Sequence, residues 1–214
     1  MKPTKIYNGR STIRMYLGDC MDLMKAGTWD LAIVDPPYGI GMDRQIGKKK
    51  GEKGDKWIGG DWDNATPRPE YFDGLFRISK NQIIWGGNYF DLPTTRCMII
   101  WDKVQRIDMA DCEIAWTSFN TSARIFTYAR SNLQGFRNPN RFHPTEKPVQ
   151  LYKWLLTNYA KEGDTILDTH GGSMSIAIAC WDLGFDLDII ELDEDYFNDA
   201  VKRFENHISQ TQLF

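Results

Sequence analysis

Four consecutive residues, Asp35-Pro36-Pro37-Tyr38, follow directly on the apolar run Leu31–Val34. They combine a carboxylate, a rigid turn and an aromatic ring, a set suited to chemistry on a planar amino group. Such an amine is a poor nucleophile because its lone pair is delocalised into the ring that carries it. Activating it requires acceptors held against both of its hydrogens. Asp35 offers an anionic acceptor, the proline pair fixes a turn whose Pro36 carbonyl offers the second, and Tyr38 offers a face for stacking. The preceding apolar strand sets the motif at the carboxyl end of a sheet strand, where open α/β folds bind ligands. The plainer alternative is a Pro-Pro turn that ends a strand, with Asp35 as its cap and Tyr38 packed beneath.

A second constellation runs from Ile166 to Ser175: an apolar strand, the turn Asp168-Thr169-His170-Gly171-Gly172, and a helix start at Ser173-Met174-Ser175. Glycines there let backbone approach a ligand, and the helix start offers unbonded amides to polar groups. About 20 residues on, where nucleotide-binding folds put an acid on ribose hydroxyls, a further apolar strand ends in Glu191-Leu192-Asp193. Glu191 is the first choice for that role, and Asp193 suits the N-cap of the next helix.

The elements that must hold these residues alternate. Strand-like runs cover Thr12–Leu17, Leu31–Asp35, Gln82–Trp85, Cys97–Trp101, Glu113–Thr117, Arg124–Tyr128, Thr165–Asp168 and Asp186–Glu191. Helical spacing predicts a helix capped by Thr66 with Pro67 first, carrying Tyr71, Phe72, Leu75 and Phe76 on one face. A second is predicted from Pro148, burying Leu151, Trp154, Leu155 and Tyr159, a third from Ser173 to Leu183, and a last from Asp193 to near His207. Strands alternating with helices imply a Rossmann-like, doubly wound α/β fold with a mostly parallel sheet, in one domain over residues 1–214. The segments at 41–64 and 131–142 lack periodicity and read as long loops, which in compact domains are usually functional or mobile.

These motifs together resemble the β group of DNA amino-methyltransferases, and the likeness spans nearly the whole chain. In that family Asp-Pro-Pro-Tyr is the catalytic motif, acting on a base flipped out of the duplex. Aspartate in first place usually accompanies adenine, and serine more often cytosine. The resemblance implies a class I methyltransferase fold in circularly permuted order, S-adenosylmethionine as cofactor, and Asp35, Pro36, Pro37 and Tyr38 as catalytic residues. It also implies cofactor contacts at Asp35, Asp168, His170, Gly171, Gly172, Ser173, Ser175, Glu191 and Leu192. The family's glycine loop commonly reads Asp-Pro-Phe-x-Gly-Ser-Gly-Thr, and this chain departs from it at Thr169, His170 and Met174. The Asp-Thr-His form is similar to a phage- and prophage-associated branch. His143-Pro144-Thr145-Glu146-Lys147-Pro148 resembles the segment that holds the methionine end of the cofactor, implying roles for His143, Thr145 and Lys147. A helix entry capped by Thr145 reads the same letters structurally. Gly18-Asp19-Cys20 resembles the segment facing the cofactor's adenine, with a turn cap as the other reading of Asp19. Trp85-Gly86-Gly87-Asn88-Tyr89 and Trp101-Asp102-Lys103 resemble segments around the base pocket, or are explained by buried tryptophan packing.

Composition narrows the setting. A formal net charge of −3 excludes coating nucleic acid by global charge, so DNA contacts must be local. The segment 44–56 holds six basic residues against Glu52 and Asp55, and 130–141 holds three arginines and no acid. DNA-binding candidates are therefore Arg44, Lys48, Lys49, Lys50, Lys53, Arg137 and Arg141, with a solvated lysine-rich loop as the alternative for the first group. No membrane span or secretory leader is visible, which leaves cytoplasm as the default compartment. The cysteines Cys20, Cys97, Cys112 and Cys180 form no Cys-x-x-Cys pair and read as reduced thiols. Three histidines far apart in sequence give no metal-site pattern, and a monomer or homodimer is expected. The tail Gln210-Thr211-Gln212-Leu213-Phe214 partly resembles peptides that dock on the replication sliding clamp, with a frayed terminus as the other reading. Rival functions are cytosine amino-methylation, methylation of RNA or protein amides, and a cofactor-binding, DNA-docking module without turnover.

Overall fold

A computed structural model describes residues 1–25, 27–41, 65–105, 110–129 and 146–211. Gly41 apart, the segments expected at 41–64 and 131–142 lie outside the described residues. So do His143, Thr145 and the tail from Gln212 to Phe214, and with them every DNA-binding candidate and most of the proposed clamp peptide.

The strands are β1 (Lys5–Asn8), β2 (Thr12–Leu17), β3 (Trp29–Val34), β4 (Ser79–Trp85), β5 (Met98–Asp102), β6 (Cys112–Thr117), β7 (Arg124–Thr127), β8 (Thr165–Asp168) and β9 (Asp186–Glu191). They form one sheet in the order β1-β2-β9-β8-β3-β4-β6-β5-β7. The centre, β2 through β4, is parallel, while β1 and β6 run antiparallel to their neighbours. Central strands of such a sheet are covered on both faces and read as continuous apolar runs, and in β3 five of six residues are buried.

The helices are α1 (Cys20–Leu23), α2 (Pro69–Ile78), α3 (Val149–Tyr159), α4 (Ser175–Leu183) and α5 (Glu194–Thr211). One face of the sheet packs Leu151 and Leu155 of α3, Ile176 and Cys180 of α4, and Phe197 and Phe204 of α5. The other packs Leu23 of α1 with Tyr71, Phe72, Leu75 and Ile78 of α2. Helices on both faces make the doubly wound architecture expected from the alternation. The crossover from β8 through α4 to β9 leads one way along the sheet, and that from β3 through α2 to β4 leads the other. The reversal between β8 and β3 is a topological switch point, the crevice where open α/β sheets take ligands.

Several boundaries differ from the sequence expectation. Strand β1, mostly exposed and at the sheet edge, carries no buried alternation by which to find it. Helix α2 begins at Pro69, not Pro67, and Thr66 does not cap it. Arg68 precedes Pro69 and is held extended, since the proline ring excludes the helical region for the residue before it. Helix α4 begins at Ser175, because Met174 adopts the left-handed conformation at φ 51° and prolongs the turn. Helix α5 continues past His207 to Thr211. On α3, Tyr152 and Leu156 join Leu151 and Leu155 in the core, while Trp154 and Tyr159 are only partly buried. All four cysteines are free thiols, Cys97 and Cys180 fully buried. Among the described residues no helix is long and apolar enough to cross a membrane.

Candidate active site

Parallel packing of β2, β9, β8, β3 and β4 brings their carboxyl ends to one edge. Asp35 follows β3, Asp168 ends β8, Glu191 ends β9, and Gly18-Asp19 follows β2. Strand β6 runs the opposite way, so its early residue Glu113 reaches the same edge, opposite Trp101.

Asp35 stands at one end of a partly buried charge cluster. The Tyr38 hydroxyl donates to its Oδ1 at 2.6 Å, and the Lys147 ammonium donates to its Oδ2. Lys147 is 3% exposed, lies 5.2 Å from the centroid of the Trp85 ring, and also pairs with Glu113 Oε2 at 3.2 Å. The other oxygen of Glu113 takes Lys103 at 2.7 Å. At Glu113 and Lys147 burial works against the charge, yet partners of opposite sign prevail. Burial would raise the Glu113 carboxyl, but Lys147 and Lys103 hold it down to about 2. Burial would lower Lys147, but Asp35 and Glu113 keep it above the ordinary lysine value. Burial, followed by the charge of Asp35, pushes the Tyr38 phenol far up, so it stays a donor.

The tryptophan-glycine segment seats the tyrosine. Tyr38 stacks on Tyr89 with centroids 5.0 Å apart, and Gly86 adopts φ +70° directly beneath it. A β-carbon on Gly86 would come within 2.2 Å of the Tyr38 ring, so only glycine permits this approach. The stacking foreseen for Tyr38 thus has a partner within the protein on one face.

The second half of the edge is built from backbone. Asp168 is buried at 2% exposure and accepts from His170 N at 3.0 Å. Burial, with repulsion from Asp35 and Glu191, raises its carboxyl well above the ordinary range. Glu191 accepts from Gly172 N at 2.7 Å and Asp193 N at 2.9 Å, so one carboxylate ties the glycine turn to the β9 end. Burial raises this carboxyl as well. Asp193 caps α5, accepting from Tyr196 N at 3.0 Å, which is the role its position suggested. His170 is held by the Thr169 hydroxyl at 2.9 Å, itself bonded to Tyr71 at 2.6 Å. Burial lowers the imidazole to about 4, so it is neutral near pH 7.

Among the remaining expected residues, Asp19 caps the turn at Met21 N at 2.8 Å, and burial beside it pushes the Cys20 thiol up to about 12. Gly171 donates to Ile190 O at 2.8 Å, joining the β8 and β9 ends. Ser173 and Ser175 lie within 3.1 Å of each other, and Arg203 of α5 donates to the Ser173 carbonyl, the Ser175 hydroxyl and Glu146. Leu192 is 72% exposed. The resemblance gave Lys147 a place at the methionine end of the cofactor, whereas the structure gives its amine to two carboxylates of the protein. Sequence reasoning also missed Glu113, Arg203, Tyr71 and Glu146. Glu113 carried a usable signal, being the charged residue of an otherwise mostly apolar strand.

The donor set tests the cofactor. Asp19, Asp168 and Glu191 are acids at strand ends, beside a glycine turn and the start of α4. Among the described residues, Asp168 and Glu191 accept from backbone N–H groups. Acids suit ribose hydroxyls and an amine, and two carboxyls that burial raises are relieved by a cation. A nucleoside carrying a sulfonium and an ammonium fits that chemistry.

Comparison with known proteins agrees. The chain is 24% identical over 213 residues to YubD of Escherichia coli (strain K12), a methylase by name, covering 89% of each chain. Its fold is similar to the PvuII cytosine-N4-specific DNA methyltransferase, with a TM-score of 0.62 and 15% identity, covering 95% of this chain and 89% of that one. It is similar as well to M1.HpyAVI in complex with SAM, with a TM-score of 0.57 and 18% identity, covering 89% and 99%. Residues 84–202, more than half of the chain, match the N6/N4 methyltransferase family described as DNA methylase, and the chain belongs to that family.

Proposed function

We propose that this DNA methylase transfers a methyl group to the exocyclic N6 amine of adenine, with Asp35 as the acceptor that activates the amine. The observation that carries this reading is the position of Asp35, an aspartate heading Asp-Pro-Pro-Tyr at the end of β3, beside the β8 turn. The methyl donor is S-adenosylmethionine. Bound at the carboxyl edge, it supplies an electrophilic methyl carried on a sulfonium. Glu191 and Asp19 suit its hydroxyl and amino groups, and the acids at Asp168 and Asp35 favour its positive charge.

Asp35 and the Pro36 carbonyl draw the two amine hydrogens and so concentrate the nitrogen lone pair toward the donor. Tyr38 fixes one carboxylate oxygen and Lys147 the other, which orients the acceptor before substrate arrives. A base inside a duplex cannot reach this edge, so the target is taken from the stack. Arg44, Lys48, Lys49, Lys50, Lys53, Arg137 and Arg141 are proposed to hold the DNA backbone and read base edges. Sliding-clamp docking by the tail stands as a proposal of the sequence alone.

Methylation-sensitive long-read sequencing of DNA from cells expressing the protein tests the reading. N6-methyladenine in a fixed sequence context is the expected result. N4-methylcytosine would move the assignment to cytosine, and no modified base would overturn it.

A further inference from the structure

We propose that Glu113 is a positioning residue for methyl transfer, acting through Lys147 to keep Asp35 an incompletely neutralised acceptor; this rests on the role proposed for Asp35. Four side chains form a line of alternating charge: Asp35, Lys147, Glu113 and Lys103. They come from four separate pieces of chain, after β3, before α3, within β6 and after β5. Lys147 at 3% exposure and Lys103 at 9% are nearly without hydration, so their charges depend on these carboxylates. Each also lies over a tryptophan ring, Trp85 at 5.2 Å and Trp101 at 5.3 Å, which favours the cation.

The arrangement has a chemical consequence. A lysine paired with Asp35 alone would be spent on it, and a fully neutralised carboxylate is a weak acceptor for an amine N–H. By sharing Lys147, Glu113 leaves Asp35 with part of its charge exposed to substrate. Lys103 then balances Glu113, so the line is neutral as a whole and tolerable in the interior.

Without Glu113, Lys147 keeps one counterion against its burial, and its titration moves down. Asp35 and Glu113 hold the ammonium directly, and it also feels the charge of Asp168; Tyr38 and Lys103 bond the same two carboxylates, Asp35 and Glu113, from their far sides.

The test compares wild type with Glu113→Gln and with the charge-balanced double variant Glu113→Gln/Lys103→Met, which keeps the line neutral should the single variant fold poorly. The Lys147 side-chain titration, followed by NMR in the protein without cofactor, should fall by about one unit or more. In steady-state methylation of DNA, kcat should fall about tenfold or more, with KM for cofactor and DNA within about twofold. The alkaline limb of kcat should move with the lysine. A Lys147 titration unmoved in a folded variant, or a wild-type kcat and pH profile, overturns the proposal. Wild-type protein that methylates no DNA base overturns the function of Asp35 instead, and the NMR titration still decides whether Glu113 holds Lys147.

Discussion

On one side of the switch point, Asp35 is held by a lysine and a tyrosine; on the other, Asp168 and Glu191 are held by backbone amides. Both sides bury carboxylates, but they answer the cost of burial differently. In the β3–β6 half, charges of the protein compensate one another and the geometry is fixed in advance. In the β8–β9 half, burial and the charge of neighbouring acids raise the carboxyls, so negative charge is concentrated where a cationic ligand relieves it. A catalytic acceptor gains from being rigid before substrate arrives, and a binding site gains from interactions completed by its ligand.

The largest expected effect separates the two halves. Asp35→Ala should lower kcat by about a thousandfold, about 4 kcal/mol, while cofactor affinity by calorimetry stays within about threefold. Wild-type turnover in that variant would remove Asp35 from the chemistry. Equal loss of both properties would merge the two halves.

The converse change is Asp168→Asn, expected to weaken cofactor binding by about ten- to a hundredfold. Its effect on stability has the opposite sign. A carboxyl whose folded pKa exceeds its ordinary value of 3.8 costs stability as pH rises from that value through the folded pKa. At neutral pH the variant without cofactor should therefore melt about 2–4 °C higher than wild type. A lower melting point across the range would show that the carboxylate is compensated after all.

Gly86→Ala should have a smaller effect, confined to the β3–β6 half. The left-handed backbone and the clash with Tyr38 should cost about 1–3 kcal/mol of stability and reduce kcat with little change in cofactor affinity. Unaltered turnover would mean that the seat of Tyr38 does not matter to the acceptor.

The parts legible in the sequence were those with a strong local signature. Eight of the nine strands were readable, because runs such as Leu31–Val34 and Ile166–Leu167 are buried on both faces and have no polar interruption. The glycine turn and the acids at strand ends were readable because their backbone chemistry is local. What escaped was relational. Lys147 lies 112 residues from Asp35, and no spacing rule joins them. Arg203 sits on a helix that reads as ordinary amphipathic pattern, yet it spans the Ser173 carbonyl and Glu146. The start of α4 was misread because Met174 takes a left-handed conformation uncommon for its residue type, a choice made by the turn around it.

The strand order also carries a consequence for synthesis. Strand β3 is central in the finished sheet, but it leaves the ribosome long before β8, its neighbour on one side. Until residue 165 has emerged, one edge of this apolar strand offers unpaired amides and carbonyls, the kind of template that recruits other chains. Asp35 meets Lys147 and the β8 turn only when the last third of the polypeptide is made. A nascent or truncated chain therefore carries Asp35-Pro36-Pro37-Tyr38 without its ammonium partner, and the carboxyl edge is complete only once β9 is made.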